Sequence, residues 1–293
     1  MLIKNIALAL LLLFFSSCRD EEKIITDNEV ENLNLSFNCY DTCLIGNLEY
    51  NSTDSLKLCN DLFNQLGIAH NYYLERFIEN FDFHAKDNCV ELKKCILNAN
   101  ISLDNLPLNA RNYIIAGMDT SDIYENLLST INNSTIPDAT ELISYLDFIC
   151  DSIVWDTTLH YVILCNKLNQ QLTNASAELS ESSMFLLKTF VGTLKASGEF
   201  WLPINRGGSG IGYSFIENLL DNSKGKNVFL APSKTNAKVA NALLAGASAM
   251  SFGMLGIAVA GMLCPPVGAT ALIICAAEAA AGSGLAAVIT KSK

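Results

Sequence analysis

Positive charge is scarce in this 293-residue chain, with 19 Lys and Arg against 30 Asp and Glu, and so are proline (six), histidine (three) and tryptophan (two). A formal charge of −11 at pH 7 leaves no broad basic surface, which argues against nucleic acid as a partner of the body. With so few histidines, acid–base chemistry has little to work with. His70, His84 and His160 stand without a neighbouring Asp and Cys or Ser in a nucleophile motif, so each reads as a half-buried helix residue. Glu178 and Glu181 share a helix face that reads as solvated, and nothing else supports a glycosidase-like pair. Arg206-Gly207-Gly208-Ser209-Gly210-Ile211-Gly212 has no strand before it and no Lys-Ser or Lys-Thr after it, so it fails as a phosphate cradle. Cys39-x3-Cys43 with His70 or His84 does not have a usual zinc spacing. The sequence therefore leads us to expect no enzyme, no cofactor and no metal.

Strand signals are missing as well. Between 138 and 191 there is neither Gly nor Pro, and apolar residues recur at helical spacing along most of the chain, so the expected class is all-α. Ser52 or Thr53 reads as the cap of a helix through Leu56, Leu58, Leu62 and Leu66 that Gly67 ends, followed by a helix over 69–82. Shorter amphipathic pieces follow at 89–97, 108–116 and 123–131, and Pro137 opens a helix buried through Leu142, Leu146 and Ile149. The stripe Tyr161, Cys165, Leu168, Leu172, Ala175, Leu179 continues into Leu186, Phe190 and Leu194, which predicts one long helix over 159–194. Residues 198–212 then break the pattern and read as a linker or exposed loop.

The last fifth of the chain has the opposite composition. From 239 to 277 no residue is charged, and Pro265-Pro266 divides the run. The two arms, 239–264 and 267–289, are each longer than the ~20 apolar residues that cross a bilayer. They read as a helical hairpin. Its residues are small: Ala245, Gly246, Ala249, Gly253, Gly256 and Gly261 in the first arm, Ala276, Ala280 and Gly284 in the second. Such spacing lets backbones approach closely, as helices do in lipid. Glu278 is then at a depth where an unpaired charge costs at least about 3 kcal/mol, so it must be neutralised, face a polar lumen or sit in protein. Lys234 and Lys238 precede the hairpin and Lys291 and Lys293 follow it, placed for a headgroup surface. The expectation is insertion in a lipid bilayer, against the alternative of a buried hairpin in a helical domain.

The beginning of the chain also carries a pattern. Lys4, the apolar run 6–15 and Phe15-Ser16-Ser17-Cys18 have the layout of a secretion signal. The stretch resembles a bacterial lipoprotein signal, in which the cysteine becomes the first mature residue and is lipidated; Phe15 stands where Leu is usual. Arg19-Asp20-Glu21-Glu22 resembles the surface-export signals of Bacteroidetes lipoproteins. Asp54-Ser55-Leu56, Asp151-Ser152-Ile153 and Asp156-Thr157-Thr158 resemble the O-glycosylation triplet of secreted proteins in that phylum. The resemblance implies an outer-membrane or cell-surface protein anchored at Cys18. Outside the cytoplasm, Cys39, Cys43, Cys59, Cys89, Cys95, Cys150 and Cys165 become disulfide candidates: three pairs and one free thiol, with no connectivity readable.

The expected organisation is a signal peptide at 1–18, a tether at 19–38, a helical Cys-containing body at 39–197, a Gly-rich linker with a basic flank at 198–238, and the hydrophobic hairpin at 239–290. After residue 206, Lys224, Lys226, Lys234, Lys238, Lys291 and Lys293 outnumber Glu217, Asp221 and Glu278, so the whole negative excess lies in the body. A body–tail contact is one consequence, and a cut after Arg206 would release the tail. The hairpin is similar in plan to that of pore-forming colicins. Gly253-Met254-Leu255-Gly256-Ile257, Val259-Ala260-Gly261, Cys264 and Ile274-Cys275 are similar to halocin-type bacteriocins, departing from them in cysteine number. That resemblance implies a toxin at 207–293 guarded by the upstream body. The competing expectation is a non-enzymatic surface lipoprotein that binds an unidentified protein partner, with the hairpin as its core or a second anchor.

Overall fold

A computed structural model describes residues 62–98, 123–134, 136–156, 158–222, 232–259 and 267–289. Among these residues the protein is all-α and has no strand. The helices are α1 (Leu62–Ile78), α2 (Asn88–Asn98), α3 (Ile123–Asn132), α4 (Ala139–Ile149), α5 (Tyr161–Ala175), α6 (Glu181–Trp201), α7 (Ile211–Asn222), α8 (Pro232–Val259) and α9 (Val267–Ile289). A π-turn (Cys150–Val154) follows α4, and a 3₁₀ turn (Ile204–Arg206) follows α6.

The centre of the bundle is the hairpin itself. α8 and α9 run antiparallel, with Gly253 beside Cys275 and Gly246 beside Ser283. Against this pair lie α1 and α6, which also pack on each other, while α2 covers α9 and α3 and α7 cover α8. Ala242, Ala247, Met250 and Met254 on α8, and Ala276, Ala279, Ala280 and Ala281 on α9, are all fully buried. Helices buried on every side need no polar face, which explains their uniform composition. The surrounding helices do have one: α1 buries Leu66, Tyr73, Leu74 and Phe77 while Arg76 and Glu79 face solvent.

This placement corrects the expectation of transmembrane helices. Among the described residues no helix is long and apolar enough to cross a membrane. The small residues serve contact within protein instead. The same holds for glycines outside the hairpin. Gly67, expected to end a helix, lies inside α1, where an added Cβ would come 2.6 Å from Ala196 Cβ. Gly192 on α6 faces the same contact, 2.6 Å from the Phe63 carbonyl oxygen. Two facing glycines let α1 and α6 approach each other closely while α1 packs on α9 and α6 on α8.

The single long helix predicted over 159–194 is two helices. α5 stops at Ala175, and α6 restarts after Ser180, whose Oγ accepts from Ser183 N–H at 3.4 Å. Asp138, just before α4, accepts from Ser180 N–H, from Ser180 Oγ at 2.8 Å and from Ser183 Oγ at 2.6 Å. An acidic side chain at a helix start satisfies open N–H groups and opposes the positive end of the dipole. A break made by serines and a distant aspartate leaves no Gly or Pro to read.

Residues 198–212 are not a linker. Gly198 sits within α6 against Leu164. Residues 203–210 form a turn closed by Gly207 N–H to Ile204 O (2.9 Å), Gly208 N–H to Pro203 O (3.2 Å) and Gly210 N–H to Leu202 O (3.2 Å). Gly207 and Gly210 take φ of +82° and +78° there, which only glycine adopts without strain.

The disulfide expectation also fails where it can be examined. Cys95 on α2, Cys150 in the π-turn, Cys165 on α5 and Cys275 on α9 are free thiols. Burial pushes the Cys150 thiol up to about 11 and that of Cys275 well above its ordinary value, so both stay protonated and unreactive. Cys39, Cys43, Cys59 and Cys264 lie outside the described residues.

Candidate functional site: the polar seam around the hairpin

One band of polar side chains crosses the apolar core where α1, α6, α8 and α9 meet. His70 and Asn71 come from α1, Ser197 from α6 and Ser283 from α9, and none is more than 1% exposed. Trp201, at the end of α6, is fully buried with them. Asn71 Nδ2 donates to Ala196 O at 2.7 Å, which leaves Oδ1 to accept. His70 Nδ1 lies 3.0 Å from that Oδ1 and therefore carries the imidazole proton. The other nitrogen, Nε2, meets Ser197 Oγ at 3.5 Å.

Gly246 is part of the same seam. A Cβ there would lie 2.7 Å from His70 Nε2, 3.2 Å from Ser283 Cβ and 3.3 Å from Ser197 Oγ. Beside it, Trp201 Nε1–H donates to Ser283 Oγ at 2.8 Å, and Ser283 Oγ–H donates to Ala242 O at 2.7 Å. Body and hairpin thus share one hydrogen-bonded chain. The hairpin's open end is closed by Lys238 Nζ, which donates to Ala287 O at 2.7 Å and Val288 O at 3.2 Å, a cation on the negative end of α9.

Electrostatics mark the seam as dry. Burial lowers His70 to about 4, against pulls the other way from Asn71 and the Ala279 backbone. Burial likewise lowers Lys238 to about 8 and raises Glu278 to about 7. Glu278 is half-buried as a residue, yet its Oε1 is shielded and has no hydrogen-bond partner among the described residues.

Serine, histidine and asparagine in one file have the order of a nucleophile, a base and its orienter. Ser197 Oγ and His70 Nε2 stand at the far limit of a hydrogen bond, and both side chains are fully buried, so a substrate has no access. The arrangement fixes the register of helices. Among the described residues no group of three His, Cys, Asp or Glu has metal-holding geometry.

Of the residues singled out from sequence, the structure brings Gly246 into the seam and sets Gly253 against Cys275, with Glu278 close by. Gly256 lies within α8. Cys18, Gly261, Pro265 and Pro266 fall outside the described residues. Arg206 ends the 3₁₀ turn and donates from Nη1 to Asn236 Oδ1 at 3.3 Å, so the proposed cleavage residue is itself tied to α8. His84 and His160 are exposed, whereas His70 is buried rather than half-buried. Sequence reasoning missed the roles of His70, Asn71, Ser197, Trp201, Ser283 and Lys238. The available signal was Tyr73, Leu74 and Phe77, which put His70 on the apolar face of α1 at helical spacing. No family model matches this chain, and neither a curated protein nor a solved structure shows similarity to it.

Proposed function

We propose that this is an exported, lipid-anchored helical protein of the bacterial outer membrane or cell surface, without enzymatic activity, whose apolar hairpin is the core of a partner-binding body. The observation that carries this reading is the chain Trp201 Nε1–Ser283 Oγ–Ala242 O, with His70 packed on Gly246. Hydrocarbon offers no partner for an indole N–H or a serine hydroxyl, and an unsatisfied polar group there is costly. A hairpin whose Ser283 accepts from a body tryptophan is suited to remain in that body. Anchoring rests on the signal pattern ending at Cys18. Large apolar side chains left at the surface, among them Phe148, Trp155, Val162 and Ile204, are the first positions to examine for a partner.

One observation favours the second reading, in which the hairpin leaves the bundle for a membrane, with or without a cut at Arg206. Among the described residues Glu278 Oε1 is buried without a partner, and a polar lumen lined by inserted hairpins would supply one. Dye-loaded vesicles mixed with the full chain carrying Cys18→Ser separate the two. The core reading expects the protein in the aqueous fraction and no dye release. Release together with vesicle-bound protein establishes the second reading instead.

A further inference from the structure

The hairpin is fastened unequally along its length. Most of its polar ties lie in the half nearest the chain ends: Arg206 to Asn236, Lys238 to Ala287 and Val288, Trp201 to Ser283 and on to Ala242, and His70 against Gly246, while a hydrogen bond from His70 to the Ala279 backbone reaches the other half. Nearer the bend the polar groups are differently placed. Ser248 Oγ donates to Leu244 O of its own helix. Ser251 Oγ and Glu278 Oε1 are the buried side-chain atoms without a partner among the described residues, and both belong to this half. Gly253 leaves room there for Cys275, whose Cβ would lie 3.2 Å from a Cβ added at 253. Apart from the His70 bond to Ala279, this half is held by the apolar burial of Met250, Met254, Ala276 and Ala277.

We infer that the hairpin opens from its bend-side half, 248–254 with 275–281, while the terminal half, 238–246 with 282–288, stays fastened as a hinge. Local opening starts where contacts give least protection, and an orphaned polar atom gains water on opening whereas a satisfied one loses a partner. The order of opening is independent of whether the hairpin is a permanent core or later leaves the bundle.

Hydrogen–deuterium exchange on the full chain, followed peptide by peptide, tests this. Bend-side amides should exchange about tenfold or more faster than terminal-half amides, the scale set by an unsatisfied buried group. Equal rates in the two halves, or faster exchange in the terminal half, overturn the inference. Two variants sharpen it. Glu278→Met removes the orphaned carboxyl and should slow bend-side exchange severalfold; unchanged bend-side rates refute the proposal. Lys238→Met unfastens the open end and should speed exchange in the terminal half alone, so an equal rise in both halves also counts against it.

Discussion

Trp201 and Ser283 are 82 residues apart in sequence and joined by a buried hydrogen bond of 2.8 Å that ties the body to the apolar hairpin. Ser283→Ala leaves the indole N–H unpaired in a dry site and should destabilise the fold by about 1–3 kcal/mol. Trp201→Phe removes the donor together with ring area. In a double-mutant cycle by urea unfolding the two should couple by more than ~0.5 kcal/mol. Additive effects would show that the bond fixes nothing.

The glycines give a graded test, because the space at each differs. Gly192→Ala puts a methyl against the Phe63 backbone at 2.6 Å, which cannot yield, while Gly246→Ala meets the His70 ring at 2.7 Å. Each should cost about 1–3 kcal/mol through overpacking. At Gly282 the nearest atom is Ala249 Cβ at 3.5 Å, an ordinary contact. Gly282→Ala should therefore be neutral or stabilise by up to ~1 kcal/mol, as alanine does in a helix. Thermal unfolding of the three variants reads the order directly.

These contrasts also show what was legible in the sequence. Helical periodicity and a charge-free run declare the elements, so the all-α class and helices at 88–98, 123–132 and 139–149 are readable within a residue or two. What surrounds the hairpin is not readable, because alanine and glycine four apart allow close helix contact in lipid and in protein alike. Gly246 is small for the sake of His70, which lies far away along the chain. The break between α5 and α6 escaped for a related reason: it depends on Asp138 reaching Ser180 across 42 positions. Apart from the adjacent His70 and Asn71, the seam is assembled from such distant pairs, and no local motif announces it.

Asp138 itself makes a third prediction. It holds the start of α6 through Ser180 and Ser183, which no neighbouring side chain replaces. Asp138→Ala should lower stability by about 1–2 kcal/mol, the usual scale for a lost helix cap. Asp138→Asn keeps an acceptor but loses charge at the helix dipole, and should lose less. Equal loss in both would point to the charge rather than to the hydrogen bonds.

A cut after Arg206 should not liberate the tail. The peptide bonds there lie in a hydrogen-bonded turn, and the Arg206 side chain reaches Asn236. More decisively, α8 and α9 are enclosed by α1, α2, α3 and α6. Limited trypsin digestion of native protein should be slow at this site, because susceptibility follows backbone exposure and hydrogen bonding. Any nicked product should elute as one species in gel filtration and divide only in urea. A fragment beginning at residue 207 that elutes alone in native buffer would favour the toxin reading.

The last prediction concerns pH, where two buried groups oppose each other. His70 titrates near 4 in the fold against 6.5 ordinarily, so the folded state binds its proton more weakly, and stability falls as pH drops from 6.5 toward 4. Glu278 titrates near 7 against 4.5, so the folded state holds its proton more tightly, and stability rises as pH drops from 7 toward 4.5. Each effect reaches up to ~3 kcal/mol by the size of its shift. The groups against the imidazole are Asn71, Ser197, Gly246 and the Ala279 carbonyl, none of which titrates. Between about 4.5 and 6.5 the two trends should therefore nearly cancel, and unfolding midpoints in urea should stay flat. His70→Gln exposes the Glu278 trend and should make the protein steadily more stable as acid is added. Glu278→Gln exposes the opposite trend and should raise stability above pH 7. If both variants kept the flat profile, neither group would titrate in the fold as burial requires.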